Sequence, residues 1–159
     1  MSCSAIYPPG SLNTLAAFVP GAPGYKTVII KPEVMNSLTW ATASHNSPYG
    51  MISSAWQANR QTVNLNVTIP PNSTARICLP ILGAALTKLV IQESGVTIWR
   101  HGGATANVPG VAFDHYEGKF PQSYLVWTVT SGSYRFSWHA SPVLSRLEAT
   151  PRDHLAKLR

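Results

Sequence analysis

Val63-Asn64-Leu65-Asn66-Val67-Thr68-Ile69 alternates apolar and polar residues without a break. Successive side chains of a strand point to opposite faces, so a period of two predicts a half-buried strand. Pro70-Pro71-Asn72-Ser73 predicts a turn. Thr74-Ala75-Arg76-Ile77-Cys78-Leu79-Pro80 then repeats the strand pattern, and the two runs read as an antiparallel hairpin.

Working outward, the same grammar recurs on both sides. Upstream, Tyr25–Pro32 is rich in β-branched residues and stops at a proline, which has no N–H for a ladder. Leu38–Ser44 and Met51–Gln57 read as strands around a turn at His45–Gly50. Downstream, Leu86–Glu93 and Val96–Arg100 form a predicted hairpin across Ser94-Gly95. Tyr124–Thr130 and Ser133–His139 form another across Ser131-Gly132. Residues 101–120 read as a long glycine-containing loop. The count is about nine strands with no internal helix, which predicts an all-β, antiparallel β-sandwich or jelly-roll-like domain. The organisation is a Pro/Gly-rich lead-in over 1–22, a sandwich over 23–139, and a basic, irregular or helical C-terminal tail over 140–159.

Bulk composition agrees. The 159 residues suit one domain, and 45% apolar with 11% charged residues argues for a packed core against disorder. Thirteen prolines and eleven glycines fit a fold with many turns. The net charge of +6 comes from 12 basic and 6 acidic residues. The basic side chains are scattered singly apart from Arg146, Arg152, Lys157 and Arg159 in the tail. No basic run interleaves with aromatics, so nucleic acid is not an expected partner. No stretch approaches the ~20 apolar residues of a membrane span, so no membrane is expected either. The start lacks the basic and apolar regions of a signal peptide. The expected setting is therefore the cytosol or a longer secreted parent, and the compartment stays open. Of the two cysteines, Cys3 lies in the lead-in and Cys78 mid-strand, where it packs as a small hydrophobe. A bridge between them cannot be inferred from spacing.

Chemistry-bearing residues are sparse. Asp114-His115-Tyr116-Glu117 is the one dense polar cluster, an acid and a base beside an aromatic ring. Sugar rings stack on exposed aromatics, and five tryptophans are available. Strand phase sends most of them inward: Leu125, Trp127 and Val129 share one face, as do Tyr134, Phe136 and Trp138. Trp99, beside Arg100 and His101 at a strand end, is the tryptophan expected at the surface. The candidate carbohydrate-binding residues are thus Trp99, Asp114, His115, Tyr116 and Glu117. Five histidines lie in separate segments without the spacing of metal ligands, so no metal and no cofactor is expected. No Gly-x-Ser-x-Gly elbow is present. Two sequons occur, Asn66-Val67-Thr68 and Asn72-Ser73-Thr74, with Asn66 on the outward phase of its strand.

An ordered series of short stretches resembles one family. These are Pro23–Pro32, Tyr49-Gly50 followed by Ser54 and Trp56, Thr68–Ala75 with Leu79-Pro80, Glu93-Ser94-Gly95, and Ser131–Phe136. In this order they resemble the C-terminal β-sandwich domain of α-L-rhamnosidases of glycoside hydrolase family 78. The resemblance covers roughly residues 20–138. In that family the sandwich follows an α/α-barrel that carries the catalytic carboxylates. Gly10-Ser11-Leu12-Asn13 resembles a remnant of the family's Gly-Ser-x-Asn-His segment, but Thr14 stands where the histidine is expected. No catalytic residue is carried over.

Three readings follow. The first is a non-catalytic accessory domain packing on a glycosidase catalytic domain, in cis in a longer parent or in trans. Without that partner, an uncovered apolar face would favour self-association. The second is a small carbohydrate-binding module. The third is an α-L-rhamnosidase in its own right, an enzyme by family resemblance alone.

Overall fold

A computed structural model describes residues 18–34, 38–59, 62–119 and 122–140. Their twelve strands are β1 (Phe18–Pro20), β2 (Thr27–Ile30), β3 (Trp40–Ser47), β4 (Gly50–Ala58), β5 (Thr62–Ile69), β6 (Thr74–Pro80), β7 (Leu89–Glu93), β8 (Val96–Arg100), β9 (Gly103–Ala104), β10 (Val111–Lys119), β11 (Gln122–Val129) and β12 (Gly132–Ala140). The excess over the expected number comes from short β1 and β9 and from β10. A single turn of 3-10 helix at Pro23–Tyr25 follows β1. The C-terminal tail and the Gly10–Thr14 stretch lie outside the described residues.

The strands form two sheets, as the sandwich reading expects. One has the order β1-β2-β6-β11-β10, the other β3-β4-β5-β12-β7-β8-β9. Pairing is antiparallel throughout except between β2 and β6. The inward residues follow from period two. Val63, Leu65, Val67 and Ile69 of β5 face Ala75, Ile77 and Leu79 of β6 within one core. Trp56, Trp127, Phe136 and Trp138 are its largest fully buried side chains. The Trp138 indole N–H donates to the Pro80 carbonyl at 3.0 Å, tying the two sheets together inside the core.

Two expected hairpins are instead arches between the sheets. β5 pairs with β4 and β12, whereas β6 pairs with β2 and β11. Likewise β11 and β12 lie in opposite sheets. Alternation fixes which side chains face inward, but a hairpin and an arch bury the same alternate set. Pro70-Pro71 cannot donate to a continuing ladder, and Asn72 takes a left-handed φ of 59°, so the chain crosses to the other layer there. At the second arch, the Tyr134 hydroxyl donates back to the Thr130 carbonyl at 3.1 Å, with the Gly110 carbonyl as its alternative acceptor at 3.4 Å. Gly110 has φ +79°, and a Cβ there would sit 2.7 Å from Thr130 Oγ1. The expected β7–β8 hairpin is present. Its turn residues Ser94 and Gly95 both have positive φ, as a two-residue hairpin turn requires.

Ile29, Cys78 and Val126 form a second, smaller apolar cluster, with Val19 and Tyr124 packed against it. They alternate with core residues on β2, β6 and β11, so they lie on the outer side of the five-stranded sheet. Cys78 there is fully buried and disulfide-bonded.

Candidate functional site

Residues 111–119, expected within a loop, form edge strand β10 paired with β11 over its whole length. The reason is local. Val111, Phe113 and Tyr116 find inward partners in Val129, Trp127 and Leu125, and this pairing outweighs the polar character of the segment. The register slips between Phe113 and His115, making Asp114 the extra residue of a β-bulge. A regular strand sends alternate residues outward. The bulge adds one, so Asp114, His115 and Glu117 all lie on the outer side of the five-stranded sheet.

There they form a polar chain. Arg76 on β6 reaches Asp114 at 3.7 Å. Asp114 lies 3.4 Å from His115 Nδ1, and Glu117 lies 3.4 Å from His115 Nε2. One imidazole is held between two carboxylates, with the guanidinium at the far end. Beside it Lys31 Nζ stands 4.7 Å above the Tyr124 ring, a cation–π contact. Asp114 and His115 are partly open to solvent, whereas Glu117 is only 18% exposed. Tyr116 projects to the other side of β10 and stays 47% exposed because the strand is at the edge. It lines a small cavity with Ile81, Ala84 and Leu86. The structure therefore brings Asp114, His115 and Glu117 together and places Tyr116 apart from them. Among the described residues there is no group of three or more His, Cys, Asp or Glu arranged to hold a metal ion.

Trp99 is a correction. Expected at the surface, it is only 4% exposed. Its indole N–H donates to the Leu86 carbonyl at 3.2 Å. Its ring centre lies 5.1 Å from that of Phe113, tilted, and Phe113 meets Trp127 edge-on at 5.2 Å, so an aromatic cluster links β8 of one sheet to β10 and β11 of the other. The short strand β9 and the turn at His101-Gly102 extend beyond it, so the end of β8 is not the end of the sheet. The exposed tryptophan is Trp40, at 61%. Its phase was readable: Trp40 shares a face with Thr42, Ser44 and Asn46, while Ala41 and Ala43 point inward. Arg76, dismissed as one of many scattered cations, is the other missed member. It occupies the outward phase of β6.

Residues 17–93 match the family model described as the bacterial α-L-rhamnosidase C-terminal domain. Over 66 residues, 42% of this chain, the sequence is 39% identical to an α-L-rhamnosidase of Formosa agariphila and 35% identical to one of Streptomyces avermitilis. Those matches span only 7% and 6% of the two relatives' own lengths. Among solved structures, an α-L-rhamnosidase from Dictyoglumus thermophilum superposes with a TM-score of 0.63 at 23% identity, covering 79% of this chain and 12% of that one. The Streptomyces avermitilis α-L-rhamnosidase, solved in complex with L-rhamnose, superposes with a TM-score of 0.55 at 25% identity, covering 79% of this chain and 10% of that one. Residues 17–93 thus carry the sequence pattern of the bacterial α-L-rhamnosidase C-terminal domain, in a β-sandwich whose fold is that of a small part of the solved α-L-rhamnosidases.

Proposed function

We propose that the chain is a non-catalytic accessory sandwich that packs on the catalytic domain of an α-L-rhamnosidase-type glycosidase, in cis in a longer parent or in trans. Proportion carries this reading. The stretch that aligns with the two named enzymes fills 7% and 6% of their length, leaving nearly all of each for catalysis elsewhere. The chemistry of the candidate cluster supports it. Glycoside hydrolysis generally uses two carboxylates that face a sugar from either side. Here Asp114 and Glu117 both turn toward one imidazole, and Arg76 neutralises the outer one. Such a chain of polar and charged side chains on an open sheet suits a polar contact between domains, whose interfaces are more polar than obligate ones. Asp114, His115 and Glu117, with Tyr116 at the sheet edge, are the proposed contact residues.

The test uses the purified chain with an aryl α-L-rhamnoside, then with Streptomyces avermitilis α-L-rhamnosidase lacking its own C-terminal domain. The expected results are no turnover by the chain alone and a rise in the truncated enzyme's thermal midpoint when the chain is added. Turnover by the chain alone that Glu117→Gln abolishes would overturn the reading in favour of a self-contained glycosidase. L-rhamnose shifting the amide signals of Asp114 to Glu117 would overturn it in favour of a carbohydrate-binding module at that cluster.

A further inference from the structure

The outer face of the seven-stranded sheet carries a pattern that the accessory role does not use. The strand registers align Trp40, Gln57, Asn64, Ser137, Gln92 and Thr97 in one row across β3, β4, β5, β12, β7 and β8. Every member is uncharged, in a chain of net charge +6. Neighbouring strands lie about 4.8 Å apart, so the row runs for on the order of 24 Å. At one end stands Trp40, 61% exposed. The next row down aligns Thr42, Ala55 and Asn66. Because Ala55 is small, the surface sinks there into a shallow hollow of about 370 Å³, walled by Trp40, Gln57, Asn64 and Asn66.

From this juxtaposition we infer that the face is a binding platform for a neutral, extended oligosaccharide. An exposed indole presents a flat apolar surface to the C–H face of a pyranose ring, while its rim stays polar. Carboxamides both donate and accept hydrogen bonds, which matches vicinal hydroxyls, themselves donors and acceptors. Among the described residues, the side chains of Gln57, Asn64 and Asn66 make no hydrogen bond that would have to break first, whereas Gln92 is paired with Thr97 at 3.4 Å. The strand spacing is close to the length of one pyranose unit in an extended glycan. The row therefore accepts successive sugar units at successive strands, anchored at the Trp40 end. Among the described residues, the arginines on this face are Arg135, beside Asn66, and Arg100 at the far end of β8, and neither belongs to the row. The site lies on the opposite sheet from the Arg76–Glu117 cluster and does not depend on a catalytic partner.

The experiment is native affinity electrophoresis of the full chain in gels containing hydroxyethyl cellulose, galactomannan, arabinoxylan or polygalacturonate. The protein is made in a host without N-glycosylation, because a glycan on Asn66 would fill the hollow. At least one neutral polymer retards the chain at high salt. Trp40→Ala weakens that retardation at least tenfold, and so does Gln57→Ala combined with Asn64→Ala. All three side chains project outward, and unchanged circular dichroism verifies folding of each variant. Retardation by none of the neutral polymers, retardation by polygalacturonate alone, or wild-type migration of Trp40→Ala overturns the inference.

Discussion

Replacing Trp99 by alanine separates a core role from a surface role more sharply than any other single change. A tryptophan buries about 150–250 Å². At about 25 cal/mol per Å² this corresponds to roughly 4–6 kcal/mol, an upper bound because the unfolded chain already hides part of that surface. Measured large-to-small core substitutions give about 3–5 kcal/mol for tryptophan to alanine. Two further losses bear on this site. The Leu86 carbonyl loses its 3.2 Å indole donor, and Phe113 loses one of its two aromatic partners. The expected cost of Trp99→Ala is therefore about 3–5 kcal/mol. For a chain of this size each kcal/mol lowers the thermal midpoint by about 2–4 °C, so the drop is on the order of 6–20 °C. Trp99→Phe keeps much of the apolar volume but lacks the N–H, and costs about 1–3 kcal/mol. Urea unfolding followed by far-UV circular dichroism measures both. A loss below about 1 kcal/mol for Trp99→Ala, within the range of an ordinary surface substitution, refutes the buried placement and the aromatic cluster built on it.

The remaining predictions concern the second arch and the two outer faces. Tyr134→Phe removes the hydroxyl that bonds Thr130 and Gly110, and costs about 1 kcal/mol in urea unfolding. Gly110→Ala costs more, since the left-handed conformation alone adds about 1–2 kcal/mol and the new Cβ meets Thr130 Oγ1 at 2.7 Å. An equal or smaller loss would remove Gly110 from the latch. Arg76→Ala changes stability by no more than about 1 kcal/mol, and the difference fades as salt rises, because its pairing with Asp114 is partly solvated. Trp40→Ala leaves the unfolding free energy within about 0.5 kcal/mol of wild type, as expected for an exposed side chain.

Strand identity and inward phase were legible because burial on one face imposes a period of two, as Val63–Ile69 and Leu125–Val129 display. Sheet membership was not. The run from Val63 to Pro80 reads the same as a hairpin within one layer or an arch between two, and only partners distant in sequence, β4 and β12 for one strand and β2 and β11 for the other, decide it. The Asp114–Glu117 segment looked like a loop because the bulge interrupts its alternation. With Asp114 removed from the count, Phe113, His115, Tyr116 and Glu117 alternate as any edge strand does. Trp99 and Trp40 show the limit from the other side. Trp99 was judged by its charged neighbours along the chain, although its contacts are Leu86 and Phe113. Trp40 was legible from phase alone, since its strand partners at every second position are Thr42, Ser44 and Asn46.

The bulge at Asp114 has a consequence for how this edge can vary. Adding or removing one residue in a paired strand normally flips every side chain beyond it to the wrong face. A bulge absorbs the extra residue where it stands, so Tyr116 still meets Leu125 and Glu117 still meets Tyr124. A descendant that lost Asp114 would keep its ladder and its interior, and would shed only the carboxylate that reaches Arg76. The outermost strand thus has one position where length itself is free to change, and the chemistry carried there can be gained or lost without renegotiating the fold.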